Sequence, residues 1–188
     1  NGSNLEVRRN LAMNGGLGCN KVIMNGTGAQ TISGAGNFPG SIDINKASGT
    51  CSLTSNFTIS GASNDLNIIL GTFAQSTFNL TVGRTLNQTG GIFTGGSGTI
   101  SAINITATAG TFSGSSGAIT LTGSLSATGT SIFTNTSGTC TVAANFTSQG
   151  TYSHGNGTVV LTNNGNTVTS GIFYNFQINL LNSSSSFT

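Results

Sequence analysis

An aromatic residue recurs at a nearly fixed interval along this chain: Phe73, Phe93, Phe112, Phe133, Tyr152 and Phe173, at spacings of 20, 19, 21, 19 and 21 residues. Units this short cannot each enclose a hydrophobic core. A chain built from them buries apolar surface only by stacking one unit on the next. The units read GIFTGGSGTISAINITATA, GTFSGSSGAITLTGSLSATG, TSIFTNTSGTCTVAANFTSQ and GTYSHGNGTVVLTNNGNTVTS. Each opens on a small-x-aromatic step and runs through a glycine-rich turn into alternating apolar residues.

The alternation is in phase between units. Seven residues after the aromatic come Leu80, Ile100, Ile119, Cys140 and Val159, and nine after it come Val82, Ala102, Leu121, Val142 and Leu161. Thirteen after it come Leu86, Leu125 and Phe146, with Ile105 one residue early. Period-2 alternation predicts short half-buried strands. Its recurrence every ~20 residues predicts that equivalent strands pair in parallel, one coil above another, about 4.8 Å apart. The expected fold is all-β: a right-handed parallel β-solenoid, right-handed because parallel crossovers take that hand. It should have about 20 residues per coil and roughly nine coils, with the aromatic column and the columns of Leu80 and Val82 as its core.

Composition agrees with this fold and narrows the function. Charged residues make up 4% of the chain, yet 35% is hydrophobic and Phe occurs 11 times, so the chain has apolar surface to bury and lacks the charge of a disordered segment. Hydroxyl and amide side chains must then keep its surface wet. The basic residues Arg8, Arg9, Lys21, Lys46 and Arg84 are scattered, which argues against a nucleic-acid partner. The longest apolar run, Ile68 to Leu70, is far short of a membrane span. Neither an initiator Met nor a signal peptide is present, so the chain is expected to be a processed or excised piece.

A longer period overlays the short one. Residues 10–17 match 145–152, residues 30–34 match 166–170, and Ile42 and Ile44 match Ile178 and Leu180, at offsets of 135 to 137. This predicts one continuous solenoid segment, residues 1–188, within a longer array of modules of about 136 residues. Leu5 to Val7 and Ser184 to Phe187 match interior strands, so both ends are expected to be covered by continuing chain or by another copy. The segments 48–61 and 137–150 also match, which puts Cys51 and Cys140 at one position four coils apart, too far for a disulfide. Between Phe38 and Phe73 the phase is open: either two shorter coils, or one coil with an insertion such as Ala62 to Asp65.

The Gly/Thr-rich units, GAQTISGAGNFPGSIDINKASGTCSLTSNFTISG at 28–61 with the GTF and GTISAINITATAGTF coils after it, resemble the repeats of very large secreted bacterial surface proteins, of the filamentous adhesin and autotransporter-passenger β-helix type. The resemblance covers most of the chain. It implies an extracellular or cell-surface stalk, fibre or adhesin, with further copies or modules end to end as partners and a surface glycan or host ligand as a further one. It implies no catalytic residue and no cofactor.

Parallel β-helices also carry polysaccharide-active enzymes, so the residues able to do chemistry must be weighed. The carboxylates are Glu6, Asp43 and Asp65. A glycosidase needs two within about 5–9.5 Å, and Asp43 with Asp65 is the least remote pair. His154, the one histidine, lies in a turn without an acid near it in sequence and without zinc-ligand spacing to the cysteines. Gly95 to Gly98 is a coil corner, since no phosphate-loop lysine follows. Asn-x-Ser/Thr sequons at Asn1, Asn25, Asn56, Asn79, Asn87, Asn104, Asn135, Asn145, Asn156 and Asn182 are close to what this composition yields by chance. Thr106 with Thr108 and Thr120 with Thr122 raise an alternative, a threonine array that binds ice or crystalline polysaccharide. The sequence therefore points to a non-enzymatic structural protein with no metal or cofactor.

Overall fold

The computed structural model describes residues 3–14, 17–34, 37–163 and 166–179. These residues form a parallel β-solenoid of about eight turns without a helix. Every strand pairing is parallel. Each coil presents three faces in chain order. The first and second belong to one 15-stranded sheet that turns a corner, and the third is a separate 8-stranded sheet.

The first face stacks Leu66, Leu86, Ile105, Leu125 and Phe146 inward. The second stacks Phe73, Phe93, Phe112, Phe133 and Tyr152. The third stacks Leu80, Ile100, Ile119, Cys140 and Val159, with Ala102, Leu121, Val142 and Leu161 in register two residues on. Val82 belongs to the same inner row and pairs with Ile59. Nearly all of these side chains are buried and form a single core. The strands are three or four residues long because alternate positions point inward and a coil of ~20 residues must also turn three corners. At the corner between the first and second faces, Gly71, Gly91 and Gly110 have φ of 82°, 57° and 80°. A Cβ on Gly110 would sit 2.4 Å from the Gly91 carbonyl oxygen, so stacked glycines let the corner close rung upon rung.

Four sequence-based expectations need correction, while the turn count of about eight agrees with the roughly nine expected. Of the two readings open for residues 38–73 the insertion is the one present, but Phe38 and Phe73 are not equivalent aromatics. Phe38 lies on the third face against Ile59, whereas the column of Phe73 continues through Cys51 to Gln30. The coil after Ser41 is longer, with 24 residues between Asp43 and its partner Asn67, and Gly61 to Asp65 form the inserted turn. Cys51 and Cys140 consequently stand on different faces, Cys51 beneath Phe73 and Cys140 between Ile119 and Val159; both are buried free thiols.

The matches at the 136-residue offset likewise join different faces. Leu11 stacks on Ile32 on the second face while Phe146 lies on the first, and Ile42 is on the first while Ile178 is on the third. The matches to Leu180 and Ser184 to Phe187 lie outside the described residues. Finally, Phe173 leaves the aromatic ladder. Its ring is tilted 60° to Tyr152 and lies 5.1 Å edge-on to Phe146. Ser170 and Gly171, at φ 63° and 140°, turn the chain just before it, and no strand begins until Asn175.

Candidate functional site

Lys46 is buried and Arg8 and Arg9 lie in the corner after the first face, whereas Glu6, Lys21, Asp43, Asp65 and Arg84 lie on that face or at its leading edge. Asp43 and Asp65, a whole coil apart in sequence, are neighbours there. Asp43 pairs in register with Asn67, while the backbone N–H of Asp65 donates to the Ser41 hydroxyl at 3.1 Å. Each carboxylate is neutralised locally. Lys21 Nζ stands 2.9 Å from Asp43 Oδ2, and Asn67 Nδ2 donates to Asp43 Oδ1 at 2.7 Å. Asp65 accepts both Arg84 Nε, at 2.7 Å, and the Arg84 terminal nitrogen, and also the Thr85 backbone N–H at 3.1 Å. The hydrogen bond and charge of Asp65 raise the Arg84 pKa. Glu6 continues the row, accepting Asn25 Nδ2 at 3.1 Å with Arg8 at 3.8 Å. Each of the two carboxylates thus carries its own cation in an ordered network.

The described clefts lie elsewhere. One of about 370 Å³ opens beside Arg8, Arg9, Asn10, Gly28 and Ala29, and one of about 310 Å³ beside Asn25 to Gly28, with no carboxylate lining either. His154 is half-buried in its turn. Its Nδ1 accepts the Asn156 backbone N–H at 2.9 Å and its ring stacks 5.5 Å from Tyr174.

A buried polar network, which the sequence reading missed, fastens the coils together. Lys46 is fully buried, and its Nζ donates to the carbonyls of Gly26 at 2.5 Å and Gly28 at 2.9 Å and to Gln30 Oε1 at 2.6 Å. Gln30 Nε2 in turn donates to the carbonyls of Val7 and Arg9, one coil below. Burial lowers the Lys46 pKa, and the neighbouring Cys51 works against that shift. Gln75 and Gln88 repeat the device, each amide bridging a turn carbonyl of its own coil and a carbonyl of the next, Thr99 and Thr111 respectively. The bridged carbonyls of Val7, Gly91 and Thr99 each accept a backbone N–H as well, using both lone pairs, while Gln75 Oε1 and Gln88 Oε1 are buried without a partner among the described residues.

The sequons acquire a structural meaning. Asn79 Oδ1 accepts the backbone N–H of Thr99, Asn104 Oδ1 that of Ser124, and Asn145 Oδ1 that of Thr167, each one coil on. Asn56 does the same for Asn79. In these four Asn-x-Thr sequences the Asn stands in for a missing backbone acceptor at the start of a strand, whereas Asn25, Asn87 and Asn135 bond otherwise. The middle residue points inward (Phe57, Leu80, Ile105, Phe146), and the Thr points outward. The legible signal was an Asn directly before the first inward residue of a strand. Asn104→Ala removes the acceptor for Ser124, and a loss of about 1 kcal/mol is expected in urea denaturation. An unchanged midpoint would remove the ladder from the forces holding the coils.

The threonine pairs picked out in the sequence do not form one array, because Thr106 is on the first face and Thr120 on the third. Register instead assembles other rows. Thr58, Thr81, Ser101, Thr120 and Thr141 stack outward on the third face. Two further rows run up the second face: Thr50, Thr72, Ile92, Thr111, Ile132 and Thr151, and beside them Ser52, Ala74, Thr94, Ser113, Thr134 and Ser153.

No family model matches this chain, and neither a curated protein nor a solved structure matches it significantly.

Proposed function

We propose that this chain is an extracellular, fibre- or stalk-forming β-solenoid segment with an adhesive capacity, not an enzyme. The observation that carries the reading is the rung-to-rung parallel pairing of all three faces, interrupted only by register shifts at Ile44 to Thr50 among the described residues. It makes a rod held by backbone pairing, a continuous apolar core and buried amide bridges. Its carboxylates are consumed in ion pairs and amide hydrogen bonds. The surface is kept wet by Thr, Ser and Asn, which suits an extended object that must not depend on ionic strength. The partners in this reading are further modules or further copies, stacked end to end. The family resemblance of the Gly/Thr-rich units points the same way.

Eight rungs at about 4.8 Å give a rod of only about 40 Å, so assembly is directly visible by length. Electron microscopy and sedimentation of the purified chain are expected to show particles many times longer than that, persisting in molar salt. A uniform compact 18.8 kDa monomer at all concentrations would overturn the reading.

A further inference from the structure

The two outward rows on the second face make a surface whose geometry and chemistry go beyond a stalk. Over six rungs they place Thr50, Thr72, Ile92, Thr111, Ile132 and Thr151 beside Ser52, Ala74, Thr94, Ser113, Thr134 and Ser153, nine hydroxyls among twelve positions with no charge. The described ion pairs all lie off this face. Along the stack the rows repeat at about 4.8 Å, and across a strand the two rows stand about 6.6 Å apart.

A second observation concerns the three central rungs. Beneath them the rings of Phe93, Phe112 and Phe133 stack at 4.5 and 4.3 Å with only 4° between successive planes, while at the ends of the column Phe73 is tilted 31° to Phe93 and Tyr152 13° to Phe133. Adjacent strands in ordinary sheets rotate by about 20–25°, which would carry any regular array out of register within a few rungs. Rings this parallel accompany central rungs related mainly by translation, so the outer rows keep their repeat best around Ile92 to Ile132 and Thr94 to Thr134. Ile92 and Ile132 are 43% and 50% exposed in the same plane and alternate with threonines, so methyl groups and hydroxyls share the surface.

We propose that this face binds crystalline water. A neutral array with a repeat near the shortest lattice repeat of ice complements a partner that is itself uncharged and periodic. The hydroxyls join the lattice, and the methyls of Thr and Ile order the water between them. A crystalline polysaccharide is the weaker partner, since sugar faces are held by aromatic platforms and charged or amide side chains. Here Phe73, Phe93, Phe112 and Phe133 all point into the core and no carboxylate or amide lies in the rows. The inference needs only the solenoid and holds whether or not the chain assembles into fibres.

The test is partition of the purified chain into a slowly growing ice hemisphere, with inhibition of ice recrystallisation read in parallel. The chain is expected to enrich in the ice fraction and to slow grain growth. Thr94→Lys, which raises a long charged side chain at the centre of the face, should abolish both while leaving the far-ultraviolet circular dichroism unchanged. Thr120→Lys, at an outward position of the third face, should leave both intact. Exclusion of the wild-type chain from ice, equal loss in the two variants, or retention on cellulose or chitin without retention in ice would each overturn the proposal.

Discussion

Phe112→Ala should cost, in urea denaturation, an amount toward the upper end of the about 3–5 kcal/mol that truncating a buried phenylalanine costs. Phe112 is fully buried, and its ring lies 4.5 Å from Phe93 and 4.3 Å from Phe133, both stacked at 4°. Removing it destroys two stacked pairs, each contributing about 0.5–1.5 kcal/mol beyond area burial. The shape of the cavity adds to this, because the neighbouring rings are fixed by strands that pair above and below and cannot collapse into the gap. In a stack where each coil touches only its neighbours, the substitution also weakens both interfaces of the central coil. Unfolding is then expected to split, with the coils above and below melting separately. Ile132→Ala, at an exposed position on the next rung, is the matched control and should change stability by no more than about 0.5 kcal/mol. Equal losses at the two positions would mean that the ring column is not what holds the second face.

The second large effect is alkaline lability. Burial pushes the Cys51 and Cys140 thiols up to about 12, and it raises the Tyr152 phenol in the same direction, while Asn135 pulls Cys140 and Tyr152 partly back. Between pH 9 and 12 the unfolded chain releases thiol protons that the native chain still holds. The unfolded state therefore binds fewer protons, and stability falls as pH rises, by about 1.4 kcal/mol per pH unit for each thiol. Integrated over the window this is on the order of 4 kcal/mol for each cysteine by pH 12, with Tyr152 adding to the loss above pH 10.

Lys46 has the opposite sign. Its pKa is lowered from 10.5, so the unfolded chain holds the extra proton in the window below 10.5, and stability there rises with pH. The expected profile thus falls gently between about pH 9 and 10.5, where Lys46 offsets part of the thiol loss, and steeply beyond 10.5. Urea titrations under reducing conditions at successive pH values read this directly, and a Cys51→Val, Cys140→Val variant should lose most of the slope. A wild-type midpoint that holds constant to pH 11.5 would show that the thiols ionise in place.

These two expectations rest on different parts of the molecule, and the parts were unequally legible. The inward columns of the third face and the aromatic ladder from Phe73 to Tyr152 follow from the sequence because strand alternation and coil length are local properties, restated in every unit. Each column is overdetermined by several copies of itself. The same local pattern explains why Asp43, Asp65 and His154 gave no catalytic signal, and why their partners, Lys21, Arg84 and Tyr174, could not be named.

What only the tertiary structure decided is which face a segment occupies. That depends on how many residues each corner consumes, and corners vary in length without altering the alternation on either side. Similar strings, SGTCSLTSNFTISG and SGTCTVAANFTSQG, therefore fall on different faces: Phe57 packs with Leu80 on the third, and Phe146 with Leu125 on the first. The inserted turn at Gly61 to Asp65 shifts the phase of everything before it. The Lys46 to Gln30 bridge, the Asn acceptors and the hydroxyl double row of the second face share this origin. Each joins residues about 20 apart whose coincidence depends on the summed length of a whole coil. The sequence by itself determined that the chain must stack, with what period and around which apolar residues. The corner lengths, resolved only in three dimensions, determined which polar side chains meet and which outward rows share a face.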